Sequence, residues 1–533
     1  MITFCKLFKE LEDSRNDSEK TYLLKQYFKL ASPEDAAWAI YLFSGNKLKR
    51  VITPKQLWNW AKEYINYPEW LLEESYSQVG DYSEAISLLL ETKENHLKYS
   101  LSFFISEKLL PLQYCTEIEL KNEINKYWST LSKNELLVFN KLIIGGLKSP
   151  ISTSNLFEAI SILYNINEHI LFLRGLDKFA PTSEDFHKII EPETEAEKQL
   201  IPFPFYTELP ISQEEIQNIN FDQLWIEWKY DSLRIQLIRR SSNTYIWTES
   251  GELISGYFRE IEEAGNHLPD GTVIIGTLLT LENNQLLPVS NIFPRLRKQK
   301  NNSKALPNTS ILFLIEDVLE WNNECTKVYS FQERIHIIQD NFNAITAHFI
   351  LPNRLSIQEL NQYLSWKNKA RENQATGVRI RHLENNVLNE LSPNISWIDK
   401  PESLSLTVIL LYAQRGEGIN AGHFNILTFG ILKDNNWVPV AKTQSNLTSQ
   451  EQAEIDTFIK TNTIEKFGPV RTLPPQLVFE IQFDSIQIST RHKLGYALLN
   501  PSILIWHREK KITEINTFKD LQKSYNQLRP AIT

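Results

Sequence analysis

Cysteine is nearly absent from this 533-residue chain: Cys5, Cys115 and Cys325 are all there is. An odd, widely spaced trio makes neither a disulfide framework nor a zinc pattern, and a reducing cytoplasm is the expected compartment. Glycine is also sparse, 17 in all, and no repeat or low-complexity tract is present. No apolar run reaches the roughly 18 to 20 residues that span a bilayer, so no membrane role is expected. The opening MITFCKLFKELEDSRNDSEK carries acidic charge and no cleavage site, unlike a secretory leader. Excess positive charge is missing too. A net charge of −9 and a pI near 5.7 exclude a uniformly basic coat for nucleic acid, though not local patches.

What is present is an ordinary globular composition, 42% hydrophobic and 23% charged, in a chain long enough for two to four domains. Residues 1–198 read as helical. DAAWAIYLFSGNKLKR and YSEAISLLLETKENHLKYSLSFFISEKLL carry apolar residues three and four apart. Ser32 followed by Pro33, Glu34 and Asp35 predicts a capped helix start. Trp38, Trp58, Trp60 and Trp70 sit at spacings that predict packing rather than base stacking. IPFPFYTELP (201–210) then breaks the pattern with three prolines.

Over 199–402 the texture turns to strands with some helices. RIQLIRR, NTYIWTE, GTVIIGTLLTL and SILFLIEDVL are β-branched or alternating, and Asp270-Gly271 marks a turn. From 403 to 533, short strands such as LSLTVILLYAQ, HFNILTFGIL and QLVFEIQFDSIQIS surround one helix, SQEQAEIDTFIKT, and predict a small OB-type β-barrel. The expected fold is therefore multidomain: an all-α domain, an α+β domain and a β-barrel.

EWKYDSLR (227–234) is the cluster richest in chemistry. A lysine attacks phosphorus only as the free amine, so burial or nearby positive charge must lower its pKa. Attack on a nucleotide α-phosphate also needs cations or metal on the phosphates. Lys229 and Arg234 bracketing Asp231 could begin such a site; equally, these three charges make an ordinary surface ion pair at a strand end. The basic stretches NKLKR (46–50) and RLRKQKNNSK (295–304) are, taken alone, solvated surface. The ten histidines show no ligand spacing, and no resident metal site is assigned.

EWKYDSLR resembles the K-x-D-G-x-R motif of ATP-dependent DNA ligases, including the glutamate two residues before the lysine. SPEDAAWAIYLFSGNKLKR and PEWLLEESYSQVGDYSEAISLLL are similar to the helical DNA-binding domain of a bacterial group of these enzymes. LLYAQRGEG, VPVAKTQSNLTSQE and KFGPVRTLPPQLVFEIQFDSIQISTRHKLG are similar to its OB-fold domain. The resemblance covers nearly the whole chain in order. It implies a helical clamp (1–198), an adenylation (nucleotidyltransferase) domain (199–402) and an OB-fold domain (403–533). It further implies ATP and Mg²⁺ as cofactors and a monomer acting on duplex DNA with a nick.

By that resemblance Lys229 is the adenylated nucleophile, Asp231 orients it, and Arg234 sits by the ribose or nick phosphate. Glu227, Asp317, Gly377, Arg381 and Lys400 belong to the nucleotide site. Lys47, Lys49, Arg50, Lys148, Arg295, Arg297, Lys298, Arg491 and Lys493 are the expected DNA contacts, since phosphate needs only positioned positive charge.

The chain departs from the family at chemical positions. Ser232 replaces a glycine, and Glu249 replaces an arginine. Ile275 and Thr277 replace an aspartate and a glutamate, and threonine supplies no carboxylate for Mg²⁺. Glu316 stands at the aromatic position expected to stack on the base. Thr376 replaces the glutamate of E-G-x-x-x-K, Arg381 its lysine, and Ile398 one lysine of K-x-K. Leu499, Ser502 and Ile505 take arginine positions, while Arg508 and Lys510 keep basic character. Losing one transition-state donor typically costs about 3 kcal/mol, and such losses within one site do not simply add. Two readings result. One is a DNA ligase of weak or partial activity, sealing nicks in repair or recombination through lysyl-AMP. The other is an inactive ligase-like protein that binds nicked duplex or a repair partner such as a helicase or nuclease. RNA ligation or capping-type transfer fits less well, because the N-terminal region resembles a DNA clamp.

Overall fold

A computed structural model describes residues 1–14, 16–90, 99–175, 179–282, 285–287, 289–296, 309–342, 347–385, 395–415, 424–467, 470–489 and 492–528. It divides into two compact units, Met1–Pro202 with Gly251–Leu253, and Phe203–Ser250 with Ile254–Thr533.

The first unit is helical. Ser32 caps the helix Pro33–Phe43, its hydroxyl accepting from Asp35 N, with proline in the first turn. Thr53 and Gln56 form a reciprocal capping box ahead of Pro54–Tyr64, which satisfies amide groups the helix itself leaves unpaired. The apolar faces converge on one core that includes Phe4, Phe8, Phe43, Trp128 and Phe139. Trp38, Trp58 and Trp60 are buried as expected, but Trp70 is 67% exposed. It is the second residue of the helix Glu69–Val79, and a short helix with an open side presents such a ring to solvent whatever its spacing in sequence.

Basic residues gather at one place in this unit. NKLKR ends the helical run rather than continuing it, and Val51 N donates to Ile143 O at 2.8 Å. Arg50 Nε donates to Ile144 O at 3.1 Å. These bonds lay the loop carrying Lys47, Lys49 and Arg50 beside the loop carrying Lys148, and all four side chains are exposed. Gly145, at φ +60°, lets the loops meet, since a Cβ there would sit 3.2 Å from Leu48 O.

The second unit is built on sheets. Its strands begin β1 (Thr207–Pro210), β2 (Leu224–Lys229), β3 (Leu233–Arg240), β4 (Asn243–Thr248), β5 (Thr272–Glu282), β6 (Gln285–Leu287) and β7 (Thr309–Trp321). The short β8 (Glu324–Cys325) and β9 (Phe349–Ile350) follow, then β10 (Gly377–His382) and β11 (Ile395–Asp399). One sheet runs β1-β11-β10-β2; a second runs β4-β3-β5-β7-β8, with β6 on β5 and β9 on β7. Gly271, at φ +79°, makes the turn before β5.

The C-terminal part is a curled antiparallel sheet of OB-fold type. It is centred on β12 (Leu404–Gln414), with β13 (Ile426–Lys433) and β14 (Asn436–Gln444) on one side. Val478–Phe483 pairs with β12 and continues to Ser502–His507. The helix Ser449–Asn462 packs Ile455 and Ile459 into this core. Among the described residues no helix is long and apolar enough to cross a membrane.

Candidate active site

Lys229 closes β2, where the strand gives way to a turn into β3. On β2 alternate residues share a face, so Trp225, Glu227 and Lys229 point the same way. β10 lies antiparallel to β2, with Gly377 opposite Lys229, Arg379 opposite Glu227 and Arg381 opposite Trp225. Two sheets therefore bring their charged faces together: β2 and β10 from one, Arg234 on β3 and Glu316 on β7 from the other.

The charges meet in pairs. Lys229 Nζ lies 2.9 Å from Glu208 Oε2 and donates to Oε1 at 3.0 Å. Arg379 reaches Glu208 at 2.8 Å, Glu227 at 3.1 Å and Glu316 at 2.7 Å. Arg381 Nη2 donates to Glu227 Oε1 at 2.6 Å and its Nη1 to Glu316 O at 2.9 Å. Arg234 donates to Glu316 Oε2 at 3.1 Å, Glu249 Oε1 at 3.1 Å and Tyr206 O at 3.0 Å. Trp225 Nε1 supplies a further bond to Glu227, at 2.8 Å. Four cations (Lys229, Arg234, Arg379, Arg381) thus face four carboxylates (Glu208, Glu227, Glu249, Glu316). Glu316 and Arg379 are 2% and 3% exposed.

Burial and charge act against each other here. Burial lowers the Lys229 pKa, and the neighbouring Arg379 charge lowers it further, with Glu316 and Glu208 opposing. For Glu208, burial works upward, but Arg379, Lys229 and Arg234 outweigh it and the carboxyl lies below its ordinary value. Burial likewise works upward at Glu316, where Arg379, Arg234, Lys229 and Arg381 hold the carboxyl far below normal. At Arg379 burial favours the neutral form, and Glu316, Glu227 and Glu208 more than restore the charge.

Two of the replaced motif positions pair with each other. Ser232 and Thr277 share a hydroxyl–hydroxyl bond of 2.5 Å. Thr376 donates through both its amide and its hydroxyl to Lys229 O, at 2.7 and 3.0 Å. Ile275 is fully buried in β5.

Other expected site residues stand apart from the network. Asp317 is fully buried and holds Arg334 by two bonds of 2.8 and 2.9 Å, plus the Tyr206 hydroxyl at 2.7 Å. Asp231 lines a cavity with Tyr230, Arg371, Thr376, Asp484 and Asn500, and burial raises its pKa. Lys400 is exposed, 3.8 Å from Asp484. Gly377 is forced by packing: a Cβ there would lie 2.3 Å from Asp399 O. Arg295 is buried against Glu260 at 2.5 Å and over the Phe258 ring, while Lys493 is exposed. Arg297, Lys298 and Arg491 lie outside the described residues. Arg508 pairs with Glu454 at 2.5 Å and Lys510 with the Thr407 hydroxyl at 3.0 Å.

Sequence reasoning missed Glu208 and Arg379. Arg379 had a visible sign: in GVRIRH the arginines alternate with valine and isoleucine, which puts two charges on one face of a buried strand. Glu208 had none, because β1 meets the site only through its pairing with β11.

Comparison with known proteins decides the family. Residues 1–161 match the model of the DNA ligase N terminus, and residues 208–390 match that of the ATP dependent DNA ligase domain. Together they account for more than half of the chain. It belongs to the ATP-dependent DNA ligase family. A DNA ligase of Methanospirillum hungatei is 20% identical over 475 residues, covering 86% of this chain and 84% of that one. The DNA ligase of Methanocaldococcus jannaschii is 21% identical over 584 residues, covering 98% of each. A solved structure titled "Pmar-Lig_Pre." shares the fold at a TM-score of 0.52 with 14% identity, covering 95% of this chain and 99% of that one.

ATP dependence belongs to the ligase family, and the residues of this site do not fit a nucleotide. Five positions that the resemblance gives to nucleotide or reacting phosphate (Glu227, Lys229, Arg234, Glu316 and Arg381) bond to one another through Glu208 and Arg379. Phosphate oxygens would have to compete with carboxylates already in place. Among the described residues no group of three or more His, Cys, Asp or Glu side chains could hold an ion; Mg²⁺ on a nucleotide needs only one or two carboxylates beside the phosphates, and positions 275 and 277 supply none.

Proposed function

We propose that this ligase-family chain engages duplex DNA at a nick and does not form lysyl-AMP. The observation that carries this reading is the Lys229 amine held between both oxygens of Glu208. A nucleophile must present a free lone pair. Burial and Arg379 lower the Lys229 pKa, as a nucleophile requires, but both oxygens of Glu208 occupy the amine, and no carboxylate stands at 275 or 277. The division 1–198, 199–402 and 403–533, as clamp, adenylation-type and OB-fold domains, is part of the proposal. So is a DNA-facing role for Lys47, Lys49, Arg50 and Lys148, which lie exposed on two adjoining loops.

Incubation of the pure chain with α-labelled ATP and Mg²⁺ or Mn²⁺, with Lys229→Ala as control, tests the first half. The expected result is no label on either protein; label on the wild type that is lost in the variant overturns it and restores the sealing reading. Mobility shift of nicked against intact duplex tests the second half, and equal affinity for both would defeat nick recognition.

A further inference from the structure

We infer that the Arg379–Glu316 ion pair, with Glu208 and Glu249 beside it, occupies the site in place of a nucleotide, so that the folded chain excludes ATP altogether. The inference rests on the reading above and goes further, because an enzyme can fail at the chemical step while still binding its nucleotide.

The argument is electrostatic and steric. Glu316 projects from β7 and Arg379 from β10, and they meet at 2.7 Å between the two sheets. Neither side chain belongs to the nucleotide chemistry the family resemblance assigns: an aromatic ring is expected at 316, and nothing at 379. Glu316 also takes Arg234, and Arg379 also takes Glu208 and Glu227. The pair therefore joins the separate charges into one closed, internally balanced set. A bound triphosphate would be repelled by Glu208, Glu249 and Glu316. It could win Arg234 or Arg379 only by leaving Glu316 buried and unpaired, a costly state, while Glu208 is half-buried and Glu249 exposed. Repulsive groups placed against a ligand are as effective in specificity as the loss of attractive ones. Glu249, in an arginine's place, and Glu316, in an aromatic's place, each supply a counter-charge to the surviving Arg234.

The test is equilibrium dialysis of the full chain against labelled ATP, with and without Mg²⁺, paired with a thermal-shift measurement. For the wild type we expect no saturable binding and no ATP-dependent rise in melting temperature. The second arm is the double variant Glu316→Tyr, Arg379→Met, which removes one charge of each sign. It leaves Lys229 with Glu208, Arg381 with Glu227 and Arg234 with Glu249. Once circular dichroism shows this variant folded, it should gain saturable ATP binding where the wild type has none. Stoichiometric ATP binding by the wild type without labelling of Lys229 overturns the exclusion and leaves the proposed function standing. Label on Lys229 overturns both. A folded double variant with no gain overturns the assignment to this pair, and the wild-type arm decides the exclusion independently of how the variant folds.

Discussion

Arg379 is the residue on which the site's charge balance turns. It is buried and serves three carboxylates, so Arg379→Met leaves Glu208 and Glu316 partly uncompensated. Breaking a buried pair from one side typically costs about 3–5 kcal/mol. We expect a loss of that order in urea unfolding, with Glu316→Gln added in the same chain recovering part of it. A double-mutant cycle that returns no coupling would deny the pair its role. Acid should act on the same groups. Glu208 and Glu316 both titrate below the ordinary 4.5 in the folded chain, so at intermediate pH the unfolded chain binds more protons. Their stabilisation is complete above 4.5 and is lost as pH falls through the depressed folded values. Urea midpoints measured on both sides of 4.5 should drop on the acid side. The drop should be smaller in the variant lacking Glu316.

At the scale of elements, local rules and tertiary pairing contributed separately. Ser32-Pro33 announces its helix because a hydroxyl cap and a proline in the first turn act within four residues. Asp270-Gly271 announces its turn because only glycine takes φ +79° without strain. Lys229 was legible as a strand-end residue, but its partner was not. Whether it faces water, phosphate or Glu208 depends on β1 joining β11 and on β10 lying between β11 and β2. The β10–β11 contact is close at Gly377, directly opposite Lys229. Gly377→Ala would drive a Cβ to 2.3 Å from Asp399 O, so we expect roughly 1–3 kcal/mol of destabilisation. Hydrogen exchange should rise first at the amides of 376–379, because those pair the site strand to its neighbours. Uniform loss across the unit would speak against a local clash.

For the molecule as a whole, the helical unit should account for a separable part of DNA affinity. Replacing Lys47, Lys49, Arg50 and Lys148 together by alanine should weaken duplex binding and flatten its salt dependence. Each neutralised phosphate adds about 0.9 to the steepness of log K against log salt, so removing all four cations should lower it by roughly 3 to 4. An unchanged slope would move the DNA surface elsewhere. The order of the regions, the helical texture of the first and the alternating texture of the rest were all legible, because burial periodicity is written along each element. Trp70 was misread because spacing within a helix does not say which helices will cover it. The sequence by itself determined that this chain carries a ligase-like lysine motif and which charged residues replace its chemical partners. Only the tertiary structure decided that Glu316 meets Arg379 and Arg234, and that Glu208 meets Lys229. Glu208, Glu316 and Arg379 are separated by many residues along the chain, and their charges pair only because the folded sheets bring them within about 3 Å of one another, where the low dielectric of a largely buried place strengthens the attraction.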